Sequence, residues 1–160
     1  PEMSAFPFSA DICVVEVDAE TGIVTLRDYF AVDDCGRVIS PLLVEGQLHG
    51  GLAQGIAQAL WEEVVYDAGG QLVSGSLLDY AVPTARAFPQ FATAQTETLT
   101  RFNPLGAKGI GELATVSAPP AVVNAVLDAL APFGIRHLDM PLHAERIWQA
   151  IHNAGTTPMH

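Results

Sequence analysis

The apolar and polar positions along the chain change period several times. Residues 10–17 are mostly apolar and rich in β-branched side chains, residues 18–22 form a polar break with Gly22 at its end, and residues 23–32 alternate over several positions. Two such runs around a short glycine-containing break predict a β-hairpin. Residues 33–37 read as a second turn, in which Asp34 can accept backbone N–H bonds as an Asx turn. Over 41–63 the spacing becomes helical: Glu45, His49, Leu52, Ile56 and Leu60 recur at three or four residues and define one stripe. A second stripe carries Gln47, Gly50, Gly51, Gln54, Gly55 and Gln58, again on one helix face. Residues 64–73 read as strand, Gly-Gly turn and strand, 75–83 as irregular, and 91–99 as a further strand. A glycine-rich loop over 100–111 then gives way to a helix from Glu112. Its apolar set is Val116, Val122, Val123, Val126, Leu127 and Leu130. Pro119 and Pro120 either kink that helix or start a new one. A last helix over 142–154 places Ile147, Trp148 and Ile151 on its apolar side, and 155–160 reads as a flexible tail. Strands and helices mix without regular βαβ units, which predicts an α+β fold with 1–154 as one unit.

Composition adds limits to this outline. A length of 160 residues accommodates about one domain. At 49% hydrophobic and 16% charged the chain is apolar, yet glycines, charges and prolines interrupt every apolar run, so no membrane insertion is expected. Apolar excess of this kind suggests a piece buried against other protein, and an oligomer is expected. The N-terminus has no start methionine or leader pattern and reads as the middle of something longer. A formal charge of −11 lacks the basic footprint that nucleic-acid binding needs. Cys13 and Cys35 are too few for a disulfide framework and have no metal-ligand spacing. Cys13, inside an apolar run, reads as a buried structural thiol, and a reducing, cytoplasmic compartment fits.

Two stretches carry candidate chemistry. Four glycines, Gly46, Gly50, Gly51 and Gly55, fall within ten helical residues, although glycine costs a helix roughly 1 kcal/mol against alanine. Tight helix packing and a ligand lying on that face both account for them. The second stretch, 103–112, sets Gly106, Gly109 and Gly111 around Lys108 and Ile110 and ends at Glu112, where loop becomes helix. It reads either as a tight turn with a helix-start acid favoured by the dipole or as backbone made bare for a bound group. Glu112 is the best candidate acid/base, because a carboxylate works as a general base when it lies within reach of the proton it takes. His49 reads as a core or interface histidine, and no zinc-type ligand spacing joins the histidines. There is no nucleophile elbow, P-loop or dinucleotide fingerprint.

Three stretches in order resemble one known family: Val32-Asp33-Asp34-Cys35-Gly36 with Pro41, the run from Glu45 to Gly55, and the run from Asn103 to Glu112. The chain is similar, almost end to end, to the C-terminal part of the molybdopterin-binding large subunit of the molybdenum hydroxylases. These are the xanthine dehydrogenase, aldehyde oxidase and carbon monoxide dehydrogenase enzymes. The resemblance implies the C-terminal portion of a molybdenum-cofactor-binding domain. It implies that Glu112 is the base in oxidative hydroxylation with oxygen from water, and that Gly111 brings backbone near the metal. It also implies that Gln47, following Gly46, bonds the molybdopterin region, and that Gly106, Lys108, Gly109 and Ile110 belong to the loop approaching the cofactor. None of these residues is implied as a direct metal ligand.

The implied cofactor is molybdenum–molybdopterin, with the cytosine dinucleotide as one form, while iron–sulfur clusters and FAD belong to partner domains or subunits. The implied substrates are aldehydes, N-heterocycles or similar small molecules. The family's large subunit is several times longer than this chain, so the substrate pocket and the rest of the cofactor cage lie upstream. Cys13 and Cys35 do not match the upstream cysteine loop that carries copper in carbon monoxide dehydrogenases. The remainder of the large subunit is therefore an expected partner. The alternative is a separately encoded or fragmentary non-catalytic subunit or assembly module.

Overall fold

The computed structural model describes residues 5–156. Strand β1 (Phe8–Val17) and strand β2 (Val24–Asp34) form the expected hairpin, longer at its open end, with a register shift between Val14 and Val15. Gly22 closes it with φ +74°, and Asp18 accepts the Glu20 and Thr21 amides. Strand β3 (Phe91–Gln95) lies on the other side of β2 and runs parallel to it.

Helix α1 (Pro41–Leu60) and helix α2 (Leu113–Leu130) cover one face of this sheet, and helix α3 (Ala144–Thr156) follows a short connection. The line that α1 buries is Val44, Leu48, Leu52, Ile56 and Leu60. It is offset by one residue at its start from the stripe expected through Glu45 and His49, both of which are exposed. A strict spacing of four keeps the aliphatic side chains on one side, and burying each contributes roughly 1.5–3 kcal/mol. From β2, Tyr29 and Ala31 enter the same core, and Tyr29 meets Phe91 edge-to-face at 5.8 Å.

Helix α2 runs unbroken through Pro119 and Pro120. Neither ring donates an N–H, so the carbonyls of Thr115 and Val116 lose their helical partners. Val116 is exposed, contrary to its expected place in the core. The Thr115 carbonyl faces α1 at Gly55: a Cβ built there would lie 3.0 Å from it and 2.9 Å from Pro119 Cδ. The prolines therefore do not interrupt this apolar stretch. Leu113–Phe133 is long and apolar enough to cross a bilayer by length and composition, but here α2 packs on α1 and β1, with Ala118, Val122, Val126 and Leu130 buried.

The hairpin expected over 64–73 reduces to a single bridge between Tyr66 and Leu72. Its apolar side chains Val64, Val65, Tyr66, Leu72 and Val73 are all exposed, so no buried face fixes a longer ladder. The last helix starts at Ala144 and extends through Thr156, so it enters the stretch read as tail; residues 157–160 lie outside the described residues. Cys35 is buried, and burial pushes the half-buried Cys13 thiol up to about 11, as befits an inert structural cysteine.

Candidate functional site

The end of β2 and the 103–112 loop interlock. Gly36 and Ala107 form an antiparallel bridge, the Lys108 amide donates to the Cys35 carbonyl at 2.7 Å, and the Arg37 amide donates to the Gly106 carbonyl at 3.2 Å. Both glycines need the left-handed region, Gly36 at φ +66° and Gly106 at φ +70°. A Cβ on Gly36 would lie 2.2 Å from the Gly106 oxygen, so the two backbones touch where no side chain fits. Asn103 staples the loop from inside: its Nδ2 donates to the Ala107 carbonyl at 2.8 Å, and its Oδ1 accepts the Ala107 amide at 3.3 Å.

Asp34 is the hub of this junction. Its carboxylate is fully buried and accepts from the Gly36 amide at 2.9 Å, the Lys108 ammonium at 3.0 Å and the Thr96 hydroxyl at 3.0 Å. Burial opposes its charge, but the Gly36 amide and the Lys108 ammonium hold the carboxyl below the usual carboxylate range. The Asx-turn reading is therefore right and incomplete. Lys108 is itself almost buried, with Nζ also 4.3 Å from the centre of the Phe8 ring. Its side chain and its amide are both committed to the protein, which leaves only its carbonyl for the ligand-binding part read into the loop.

Asp33 was not singled out from sequence. It is buried on the opposite face of β2, and neither carboxylate oxygen has a hydrogen-bond partner among the described residues. Burial pushes its pKa up, and Asp11 adds to the shift. Asp11 itself accepts from Ser9 Oγ and Tyr29 Oη, each at 2.6 Å. Only an acid in an inward-facing strand position signalled this in the sequence.

The helical glycines fall into two groups. Gly51 and Gly55 are buried against α2, where built Cβ atoms would lie 2.9 Å from Ala114 Cβ and 2.8 Å from Ala118 Cβ. Thr115 Oγ1 closes the contact by donating to the Gly51 carbonyl at 3.2 Å. Helix packing thus accounts for these two. Gly46 and Gly50 are exposed with nothing within 4 Å of a built Cβ, so packing among the described residues does not account for them.

On that exposed side the two predicted stretches meet. Gln47 Oε1 comes within 3.8 Å of a Cβ built on Gly111. Gln47 is exposed, and its carboxamide has no hydrogen-bond partner among the described residues. Glu112 occupies the N-cap position of α2 without capping it by its side chain, and its carboxylate is exposed and has no partner among the described residues. Glu112 and Gly111 open onto a groove of about 440 Å³ whose other walls are Phe6, Pro7, Gly109, Leu113 and Val116. A second groove of about 240 Å³ is lined by Gln47, Ile110, Arg37 and Leu43. The arrangement offers unspent amide donors and acceptors, bare backbone and a free carboxylate, which suits a flat polar group needing a nearby base.

The profile of the molybdopterin cofactor-binding domain family matches residues 1–89, more than half of the chain. The chain belongs to this family. The molybdopterin-binding domain is 41% identical over 151 residues to the carbon monoxide dehydrogenase large chain of Hydrogenophaga pseudoflava, covering 94% of this chain and 19% of that one. It is 43% identical over 137 residues to the nicotine 6-hydroxylase large subunit of Paenarthrobacter nicotinovorans, covering 86% of this chain and 17% of that one. Among solved structures, the reconstituted CO dehydrogenase from Oligotropha carboxidovorans superposes with a TM-score of 0.90 at 40% identity, covering 93% of this chain and 18% of that one. The domain thus spans about a fifth of the length of the curated relatives it matches. The α+β fold and the family match the expectation from sequence, and the relatives are oxidoreductases.

The exposed glycines and the free Gln47 carboxamide fit a molybdopterin: they leave room for a flat ring and supply donors and acceptors at its edge.

Proposed function

We propose that this domain is the C-terminal segment of a molybdenum hydroxylase large subunit, supplying the catalytic base and part of the cofactor cradle. The observation that carries this reading is the meeting at one surface of Gln47, a bare Gly111 and Glu112, with neither polar side chain partnered among the described residues. Bound molybdenum–molybdopterin supplies the two-electron redox chemistry. Gln47 would hydrogen-bond it, and Gly46 and the 106–111 loop would offer it bare backbone amides and carbonyls. Glu112 accepts the proton of the water whose oxygen enters the product, so that a substrate C–H becomes C–OH.

The substrate is an aldehyde, an N-heterocycle or a similar small molecule, and the electrons leave through iron–sulfur and flavin parts on other domains or subunits. The pocket that selects the substrate lies outside this segment. In the complete enzyme, Glu112→Gln keeps the size and polarity of the side chain but removes its basicity. Turnover is expected to fall by about 10²–10⁴ while molybdenum and pterin content stay at wild-type levels. Near-wild-type turnover would sink the assignment of Glu112 as the base.

A further inference from the structure

The segment that carries Glu112 is held at its two ends more than between them. A Cβ built on Gly109 meets nothing within 4 Å, and one built on Gly111 meets only Gln47 Oε1, at 3.8 Å. Gly109, Gly111 and Glu112 are exposed, while Ile110 packs against the core. Glycine allows the backbone more freedom than any other residue, so the place of Glu112 depends on what brackets this segment. On one side stands Leu113, buried at the start of α2, whose amide donates to the Ile110 carbonyl at 3.4 Å. On the other side stands Lys108.

Lys108 is tied to the sheet twice. Its amide donates to the Cys35 carbonyl at 2.7 Å, and its ammonium donates to Asp34 Oδ1 at 3.0 Å. Asp34 is fixed in turn by the Gly36 amide on Oδ1 and the Thr96 hydroxyl on Oδ2. The pair therefore refers the loop to the end of β2 and to the residue that follows β3. Exchanging a buried ion pair for apolar side chains of similar volume is often neutral or stabilising. What apolar side chains do not supply is the defined direction of a charge-assisted hydrogen bond.

We propose that Lys108 and Asp34 are positioning residues for Glu112: their buried ion pair sets where the Glu112 carboxylate stands in its groove, and neither touches the reacting atoms. The inference rests on the reading of Glu112 as the base, and it gives the Lys108 side chain a part other than holding the cofactor. A base works within about 2.6–3.2 Å of the proton it takes, or through one water. A misplacement of about 1 Å, caused by a change away from the chemistry, costs about 10²-fold in rate. Lys108 precedes Glu112 by only four residues, two of the intervening three being glycines, so loss of the anchor is felt directly at the carboxylate.

The test compares the complete enzyme with its Lys108→Met/Asp34→Asn double variant, in which both charges are gone and neither is left buried alone. In crystals of the variant superposed on α2, the Glu112 α-carbon is expected to lie about 1 Å from its place in the unsubstituted enzyme. A Glu112 that has not moved overturns the proposal, whatever the turnover. Counted per molybdenum, kcat is expected to fall by about 10²-fold with KM unchanged. A kcat at the unsubstituted level, or a loss carried by KM alone, overturns the proposal. Lys108→Gln keeps a donor facing Asp34 without the charge, and it is read in the same two ways if the double variant does not fold. Glu112→Gln separates the two possible failures. If it loses turnover while the pair variant does not, the positioning role fails and the base stands. If Glu112→Gln keeps its turnover, the base assignment fails, and the displacement of Glu112 in the crystal alone decides for the pair.

Discussion

Lys108 is the only lysine in the chain, and its charge is directed at Asp34. The pair joins residues 74 apart in sequence and fixes the glycine loop to the end of β2. Removing one partner of a buried ion pair leaves the other charged and unpaired, which typically costs about 3–5 kcal/mol. Lys108→Met is therefore expected to destabilise the complete subunit by that order, and the double variant with Asp34→Asn to recover most of the loss, as measured by denaturant unfolding. The pH dependence has a definite sign. Asp34 has its folded pKa lowered, so its contribution is present above the ordinary carboxylate pKa of about 4 and is lost as pH falls below it. Without Lys108 the buried carboxyl takes up a proton more readily. The Lys108→Met deficit should narrow on acidification through that range, and a deficit independent of pH would show that the charge pair is not its source.

At the scale of elements, the two groups of glycines on α1 separate packing from the proposed binding role. Gly55→Ala places a methyl 2.8 Å from Ala118 Cβ and 2.9 Å from Pro119 Cδ. It is expected to destabilise the subunit by about 1–3 kcal/mol by forcing α1 and α2 apart. Gly46→Ala meets nothing within 4 Å and adds helix propensity worth about 1 kcal/mol. It should raise the melting temperature of cofactor-free protein while lowering the molybdopterin retained after purification. Unchanged retention would place the cofactor elsewhere. The hairpin was legible because residues 10–17 and 23–32 carry their own strand pattern around a turn. The meeting of Gln47 with the Glu112 loop was legible only through family resemblance, since no local rule pairs residues so far apart. The parallel placement of β3 was not legible: its five residues carry no signal of orientation. Nor was the unbroken α2, because the space that lets Pro119 sit within a helix is provided by Gly55 on another element. Val116 was read as core because periodicity cannot distinguish an apolar residue facing the interior from one lining a groove.

The whole molecule has a well-packed interior and an unusually apolar exterior. Leu77 and Leu78 are 86% and 95% exposed, and most residues over 62–83 are exposed as well. On the proposed reading, a domain with such surfaces supplies one side of the cofactor site and not the other. Produced alone, the chain is expected to carry molybdenum and pterin well below one equivalent, measured by elemental analysis and pterin fluorescence. Stoichiometric cofactor would remove the need for the rest of the subunit.

The contact between Gly36 and Gly106 bears on how such a chain can change over time. A side chain at Gly36 would strike the Gly106 carbonyl oxygen, an atom every residue possesses. A replacement at position 106 leaves that oxygen in place, so the usual remedy of trimming a crowded neighbour is closed. Around this crossing a changed side chain can be matched by a change in its partner, as at Asp34 and Lys108, but the crossing itself admits no compensating partner and acts as a fixed point for drift in the surrounding loops.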